Sequence, residues 1–219
     1  KGLYEEARYL KHNVILIYYQ SKKILLQGQK ADLEKVAEEI RKLKIGTEIK
    51  SEHFKKEAGW VIGSDESLKG DTFGGVVVAA VKADHKIRQE LQSFGVADSK
   101  TLEDKEVILI AEKIKKIAPC EIQSLLPEEY NQNGKITLIL NQLHQECASY
   151  LGDGTHIVDK YPGCTVGDIR EEKAESKYIE VAAASILARA AALRQMDHLS
   201  SLAGFTLPKG STHVAEALK

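Results

Sequence analysis

An apolar segment, Trp60-Val61-Ile62-Gly63-Ser64, runs into two adjacent carboxylates, Asp65 and Glu66, and then into Ser67-Leu68-Lys69-Gly70-Asp71. Acidic side chains at the end of a buried strand suit hard cations such as Mg²⁺, which take oxygen ligands and keep several waters. Two such ions can activate water and stabilise the leaving oxygen of a phosphodiester, so this stretch reads as the acidic half of a metal-dependent nuclease. Further carboxylates stand at expected strand ends or helix starts: Asp98, Asp159 and Glu175. Spacing alone does not make them converge, and Asp65-Glu66 also fits a solvated turn. The seven histidines are scattered, with no His-Glu-x-x-His, nucleophile elbow or Walker A loop, which argues against zinc or covalent chemistry.

The elements that must position these groups follow from periodicity. Val14 to Tyr19 and Ile24 to Gln27, separated by Ser21-Lys22-Lys23, predict a hairpin. Ala31 to Leu43 places Leu33, Val36, Ala37, Ile40 and Leu43 at helical spacing, completing a small ββα module over 1–45. Polar residues 46–58 read as a linker, and 59–219 as a second, larger domain. That domain opens with the strand ending near Glu66, followed by a buried strand from Phe73 to Val81 and, after Asp98-Ser99-Lys100-Thr101, an amphipathic helix from Leu102 to Ile117. A strand at Ile122 to Leu126, a helix at Ile136 to Tyr150, a strand His156-Ile157-Val158 and a long Ala-rich helix from Lys173 to Leu199 complete it. Alternating strands and helices define an α/β domain with a mixed sheet, because its first two strands are close enough for a hairpin.

Composition narrows the class. With 219 residues, 43% of them hydrophobic, the chain can bury a sizeable core. It contains no apolar stretch long enough to span a bilayer and no basic-apolar-small leader pattern, so the expectation is a cytoplasmic protein with no membrane association. Cys120, Cys147 and Cys164 are odd in number and widely spaced, which argues for reduced thiols. The net charge of -1 hides an asymmetry: residues 1–58 carry 13 Lys/Arg against 9 Asp/Glu, a balance of +4, and the remainder 18 against 23, a balance of -5. A basic arm beside an acidic domain fits phosphate attraction plus metal binding, although a solvated Lys-rich helix face gives the same balance.

Four segments in order carry a specific resemblance. Gly63 to Asp71, Asp98-Ser99-Lys100, Val158-Asp159, and Lys173-Ala174-Glu175-Ser176 with Val181 to Arg189 resemble bacterial ribonuclease HIII, a type 2 ribonuclease H, from residue 59 onward. The N-terminal ββα module resembles part of the TATA-box-binding-protein-like domain that this family carries ahead of a ribonuclease H-like mixed sheet flanked by helices. Glu175, Lys69 and the tail from Gly204 to Val214, with Leu207-Pro208-Lys209-Gly210, look more like ribonuclease HIII than HII.

The resemblance implies an endoribonuclease that hydrolyses the RNA strand of RNA/DNA hybrids, leaving 5′-phosphate and 3′-hydroxyl ends. Asp65, Glu66, Asp159 and Glu175 would be its catalytic and metal-binding carboxylates, holding Mg²⁺ with Mn²⁺ as substitute, and two ions in the substrate complex. Ser67, Leu68, Lys69 and Gly70 would face the ribose 2′-OH, and Ser99 and Lys100 the nucleic-acid backbone, although Asp98 or Ser99 also fits a plain helix cap. No obligate protein partner is inferred. Leu68 departs from the family, which usually has glycine there; leucine disfavours positive φ, which puts the detailed 2′-OH contact in question. Two other readings stand beside this one: a hybrid-binding protein with impaired catalysis, and a ribonuclease HII-like enzyme that incises at single ribonucleotides in DNA.

Overall fold

The computed structural model describes residues 5–45, 54–55, 57–93, 96, 102–132, 134–212, 214–215 and 217. The chain divides into two units, Lys1–Lys50 and Ser51–Lys219. In the first, strands β1 (Glu5–Lys11), β2 (Val14–Tyr19) and β3 (Ile24–Gln27) form an antiparallel sheet in that order, followed by helix α1 (Lys30–Lys42). The ββα reading of the sequence therefore lacks one strand. β1 is a charged edge strand, exposed along most of its length, and so has no apolar run to announce it. It is joined to β2 through His12 and Asn13, both at positive φ, as a tight hairpin turn requires. Val14, Ile17 and Val36 form the buried centre of this unit.

The second unit is a five-stranded sheet in the order β6-β5-β4-β7-β8, made of β4 (Val61–Ser67), β5 (Val76–Ala83), β6 (Cys120–Leu125), β7 (Thr155–Asp159) and β8 (Ile169–Glu171). β5 runs antiparallel to β4 and β6, whereas β7 runs parallel to β4 and β8. Helices α2 (His85–Ser93), α3 (Asp104–Ile117), α4 (Pro127–Gln132), α5 (Ile136–Leu151) and α6 (Ile179–Ala203) flank it.

Strand alternation sorts the core into two layers. Val77, Ala79, Val81 and Ala83 pack with α3 and α6, while Val76, Val78 and Ala80 pack with Ile139, Leu140, Leu143 and Cys147 of α5. Burial on both faces explains why β5 reads as an unbroken apolar run. Gly63 lets α6 lie directly against β4: a Cβ there would stand 2.3 Å from the Val181 nitrogen. At the same crossing the buried Glu180 carboxylate pairs with Arg88 of α2, which also donates to the carbonyl of Glu57 at 2.7 Å. Glu180 is thus a structural residue.

Two boundaries differ from the sequence reading. The helix expected over Lys173 to Leu199 is interrupted: Glu175 lies in a separate 3-10 turn (Ala174–Ser176), and α6 begins at Ile179. Lys173 takes φ 57° and Tyr178 is extended, so the chain cannot continue as one helix. The helix expected from Leu102 begins at Asp104, where Glu103 and Glu106 form a capping box. The short elements α2, α4 and β8 have no counterpart in the sequence reading, being too brief to show a clear period. No helix among the described residues is long and apolar enough to cross a membrane.

Candidate active site

Asp159 ends β7 and Asp65 lies within β4, each one residue beyond the last registered pair of these parallel strands, Ser64 with Val158. Pleating sends the neighbours Asp65 and Glu66 to opposite faces of β4. Asp65, 8% exposed, accepts a hydrogen bond from the Ser185 hydroxyl of α6 and another, at 2.8 Å, from the Glu66 backbone N–H. Glu66 turns toward α5, where its Oε2 is 3.5 Å from the buried His144 Nε2. Its Oε1 accepts from the Lys69 ammonium at 2.8 Å. Asp159 Oδ1 accepts from the Ala174 N–H at 2.9 Å, which ties β7 to the turn carrying the buried Glu175.

Electrostatics sets these carboxylates apart. Burial lifts the Asp65 carboxyl well above the ordinary range, and the charges of Glu66 and Asp159 lift it further against the two hydrogen bonds. Burial likewise raises Asp159, to about 6; the Ala174 N–H opposes this, while Glu175 and Glu66 add to it. For Glu66 burial pulls upward, but the hydrogen bonds and charges of His144 and Lys69 outweigh it and hold the carboxylate below its usual value. The cluster stores negative charge that a cation would relieve.

The donor set fits a hard divalent ion: every candidate ligand is a carboxylate, and the buried Glu66 Oε2 has no hydrogen-bond partner among the described residues short of the long contact from His144 Nε2 at 3.5 Å. Among those same residues no three acidic, imidazole or thiol groups already surround one point, so the carboxylates must draw closer around any ion.

The turn after Glu66 is ordered. Ser67 ends β4, and the Asp71 N–H donates to the Leu68 carbonyl at 2.9 Å, with Gly70 at φ 81° in the position that needs it. Leu68 itself takes φ 66°, the conformation expected to exclude it. Its side chain is partly buried against the α3/α6 core layer, in space that Gly74 leaves open; a Cβ on Gly74 would be 3.0 Å from Leu68 Cδ1. Packing therefore holds a leucine where glycine is easier. Asp71 fixes the far side, accepting from Phe73 and Gly74 N–H groups at 2.9 and 2.8 Å and from the Gly210 N–H at 2.6 Å. The Leu-Pro-Lys-Gly tail thus closes on this loop. Lys69 lies over the Tyr161 ring, 5.2 Å from its centroid. Asp98, Ser99 and Lys100 lie outside the described residues.

Sequence reasoning passes over Ser64, His144, His156, Tyr161 and Ser185. In the sequence Ser185 reads as tight helix packing within Ala182 to Ser185, yet its hydroxyl reaches Asp65. Ser64 carries the one readable signal, a polar residue on a strand otherwise apolar up to Asp65.

Comparison with known proteins follows the same residues. A family model described as Ribonuclease HII matches residues 62–217. Ribonuclease HIII of Bacillus pumilus (strain SAFR-032) is 37% identical, over 91% of this chain and 75% of the relative, and that of Bacillus subtilis (strain 168) is 35% identical over 91% and 74%. Among solved structures, Bst-RNase HIII in complex with Mn²⁺ superposes with a TM-score of 0.65 at 28% identity, covering 97% of this chain and 80% of that one. RNase H3 of Aquifex aeolicus gives 0.63 at 25% identity, covering 99% and 84%.

Proposed function

This chain belongs to the bacterial ribonuclease HIII family of type 2 ribonucleases H, and we propose from that membership how its own residues carry the reaction. The protein is a metal-dependent endoribonuclease that hydrolyses RNA within RNA/DNA hybrids. Asp65, Glu66, Asp159 and Glu175 hold the metal, with Mg²⁺ as the working ion, Mn²⁺ as substitute, and two ions in the substrate complex. Bound there, the ions supply an activated water and neutralise charge on the phosphodiester and its departing 3′ oxygen, leaving 5′-phosphate and 3′-hydroxyl ends. The supporting observation is the placement of Asp65 and Asp159, each one residue beyond the last registered pair of adjacent parallel strands, where burial and neighbouring carboxylates raise both carboxyls.

Around them the chain positions substrate. The Ser67 to Gly70 turn presents its backbone to the ribose 2′-OH, with Leu68 supplying the left-handed conformation that glycine usually supplies. Lys69 is held by Glu66 and Tyr161 close to where a phosphate must sit. Ser99 and Lys100 contact the nucleic-acid backbone. Residues 1–45 form a substrate-binding domain, 46–58 its linker and 59–219 the catalytic domain, and the protein works in the cytoplasm without an obligate protein partner.

The test is cleavage of labelled RNA in an RNA/DNA hybrid, in DNA carrying one ribonucleotide, and in double-stranded RNA, each with Mg²⁺, Mn²⁺ or chelator. Metal-dependent cutting of the hybrid alone is expected. Equal cutting of the single-ribonucleotide duplex moves the assignment toward ribonuclease HII, and binding without cutting makes the chain a catalytically impaired hybrid binder.

A further inference from the structure

Beneath Glu66, on the face of the sheet covered by α5, an apolar layer contains a row of polar groups. Ser64 and His144 are fully buried and His156 nearly so, among Ile62, Val78, Leu140 and Leu143. Ser64 Oγ lies 2.8 Å from His144 Nδ1 and 2.8 Å from His156 Nε2. The other ring nitrogen of His144, Nε2, faces Glu66 Oε2 at 3.5 Å, and neither atom has another hydrogen-bond partner among the described residues. Three polar side chains in such a layer are costly unless they satisfy one another, and this row ends on a carboxylate of the site.

The carboxylate at the end of the row fixes one proton. Glu66 receives the Lys69 ammonium on Oε1, so it is a carboxylate and accepts at Oε2 as well. His144 Nε2 must then carry a hydrogen, since a lone pair there would face the oxygen. The ring's other nitrogen, Nδ1, is held by Ser64 Oγ at 2.8 Å. Ser64 Oγ is held in turn by His156 Nε2 at 2.8 Å. Tyr161 holds the ring from the side, with centroids 5.3 Å apart, and its own hydroxyl donates to Asn141 Oδ1 at 2.9 Å.

We infer that His144, held through Nδ1 by Ser64 and His156, is a positioning residue that aims the Glu66 carboxylate for metal binding. This rests on the reading of Glu66 as a metal ligand. One oxygen is set by His144 and the other by Lys69, so the carboxylate is oriented before an ion arrives. Partners of this kind typically change metal affinity or activity by about 10- to 100-fold when removed.

The full chain tests this in two ways. Long-range proton–nitrogen NMR of the ¹⁵N-labelled protein, with His144→Gln to assign the ring, should show a proton on His144 Nε2. A bare Nε2 overturns the inference. Calorimetric titration with Mn²⁺ alone, without nucleic acid, should give about tenfold weaker binding for Ser64→Ala and His144→Ala, with His144→Gln recovering to within about threefold because its amide can donate. Glu66→Gln separates the two claims. If it weakens Mn²⁺ binding while Ser64→Ala and His144→Ala do not, the positioning role fails and the metal site stands. If Glu66→Gln changes nothing, the metal-site reading fails, and this inference with it.

Discussion

The residue that concentrates the site's electrostatics is Asp159, whose carboxyl is lifted to about 6. Between its ordinary value and 6 the folded chain holds a proton that the unfolded chain has released, so this group's contribution to stability falls as pH rises through that window and stays unfavourable above it. Asp159→Asn, measured in chelator at pH 7.5, should therefore melt higher than wild type, by roughly 2 to 5 °C, and show a flatter pH dependence of melting. The same substitution should cut turnover on the order of 10²-fold or more while leaving hybrid affinity similar or higher, because it removes a proposed metal ligand and a repelling charge. For wild type, Mn²⁺ binding should release protons and weaken as pH falls through about 6, which titration in buffers of different ionisation enthalpy reads directly. Leu68 gives a second residue-scale test. A left-handed leucine costs about 1–2 kcal/mol, and its partly buried side chain returns about as much. Leu68→Gly should thus shift the unfolding free energy by less than about 1 kcal/mol, whereas Leu68→Val, β-branched at positive φ, should lose about 2 kcal/mol by urea denaturation.

At the scale of elements, the site depends on how closely α6 approaches β4. Gly63 permits contact at 2.3 Å from a built Cβ to backbone, so Gly63→Ala must push the helix away. It should cost about 3 kcal/mol with an unchanged urea m-value, and it should also loosen the hydrogen bond from Ser185 to Asp65 and lower metal-dependent cleavage. The sequence made the large elements legible: apolar runs marked β4, β5 and β7, and helical periods marked α1, α3 and α5. It could not show β1, because an exposed edge strand keeps no apolar alternation. Nor could it show the break before α6, since Lys173 to Tyr178 has ordinary helix-compatible residues and is turned by a hydrogen bond to Asp159, 15 positions away in the chain. Motif order drew attention to the four carboxylates, but His144 and His156 meet Ser64 across 80 and 92 residues, a separation that leaves no local pattern.

For the whole molecule the relevant quantity is where charge lies. A catalytic unit that gathers carboxylates repels nucleic acid until cations neutralise it, and the excess of -5 over residues 59–219 makes that worse. The +4 over residues 1–58 offsets the repulsion on the same chain. Within it, Lys22 sits at the β2–β3 turn at φ 65°, its ammonium exposed and 3.3 Å from Glu6, and Lys23 follows. An ammonium that neutralises a phosphate releases condensed counterions, so its removal weakens binding and flattens the salt dependence by about 0.7 to 0.9 in the log–log slope for each phosphate left without its lysine. Lys22→Gln/Lys23→Gln should therefore weaken RNA/DNA hybrid binding several-fold at low salt, with the difference from wild type shrinking as salt rises, and the loss in cleavage should fall mainly on KM. If these lysines form only a solvated face, the two proteins will give parallel salt plots and equal KM; binding titrations from 50 to 300 mM salt, on the order of the range in which such slopes are read, separate the cases.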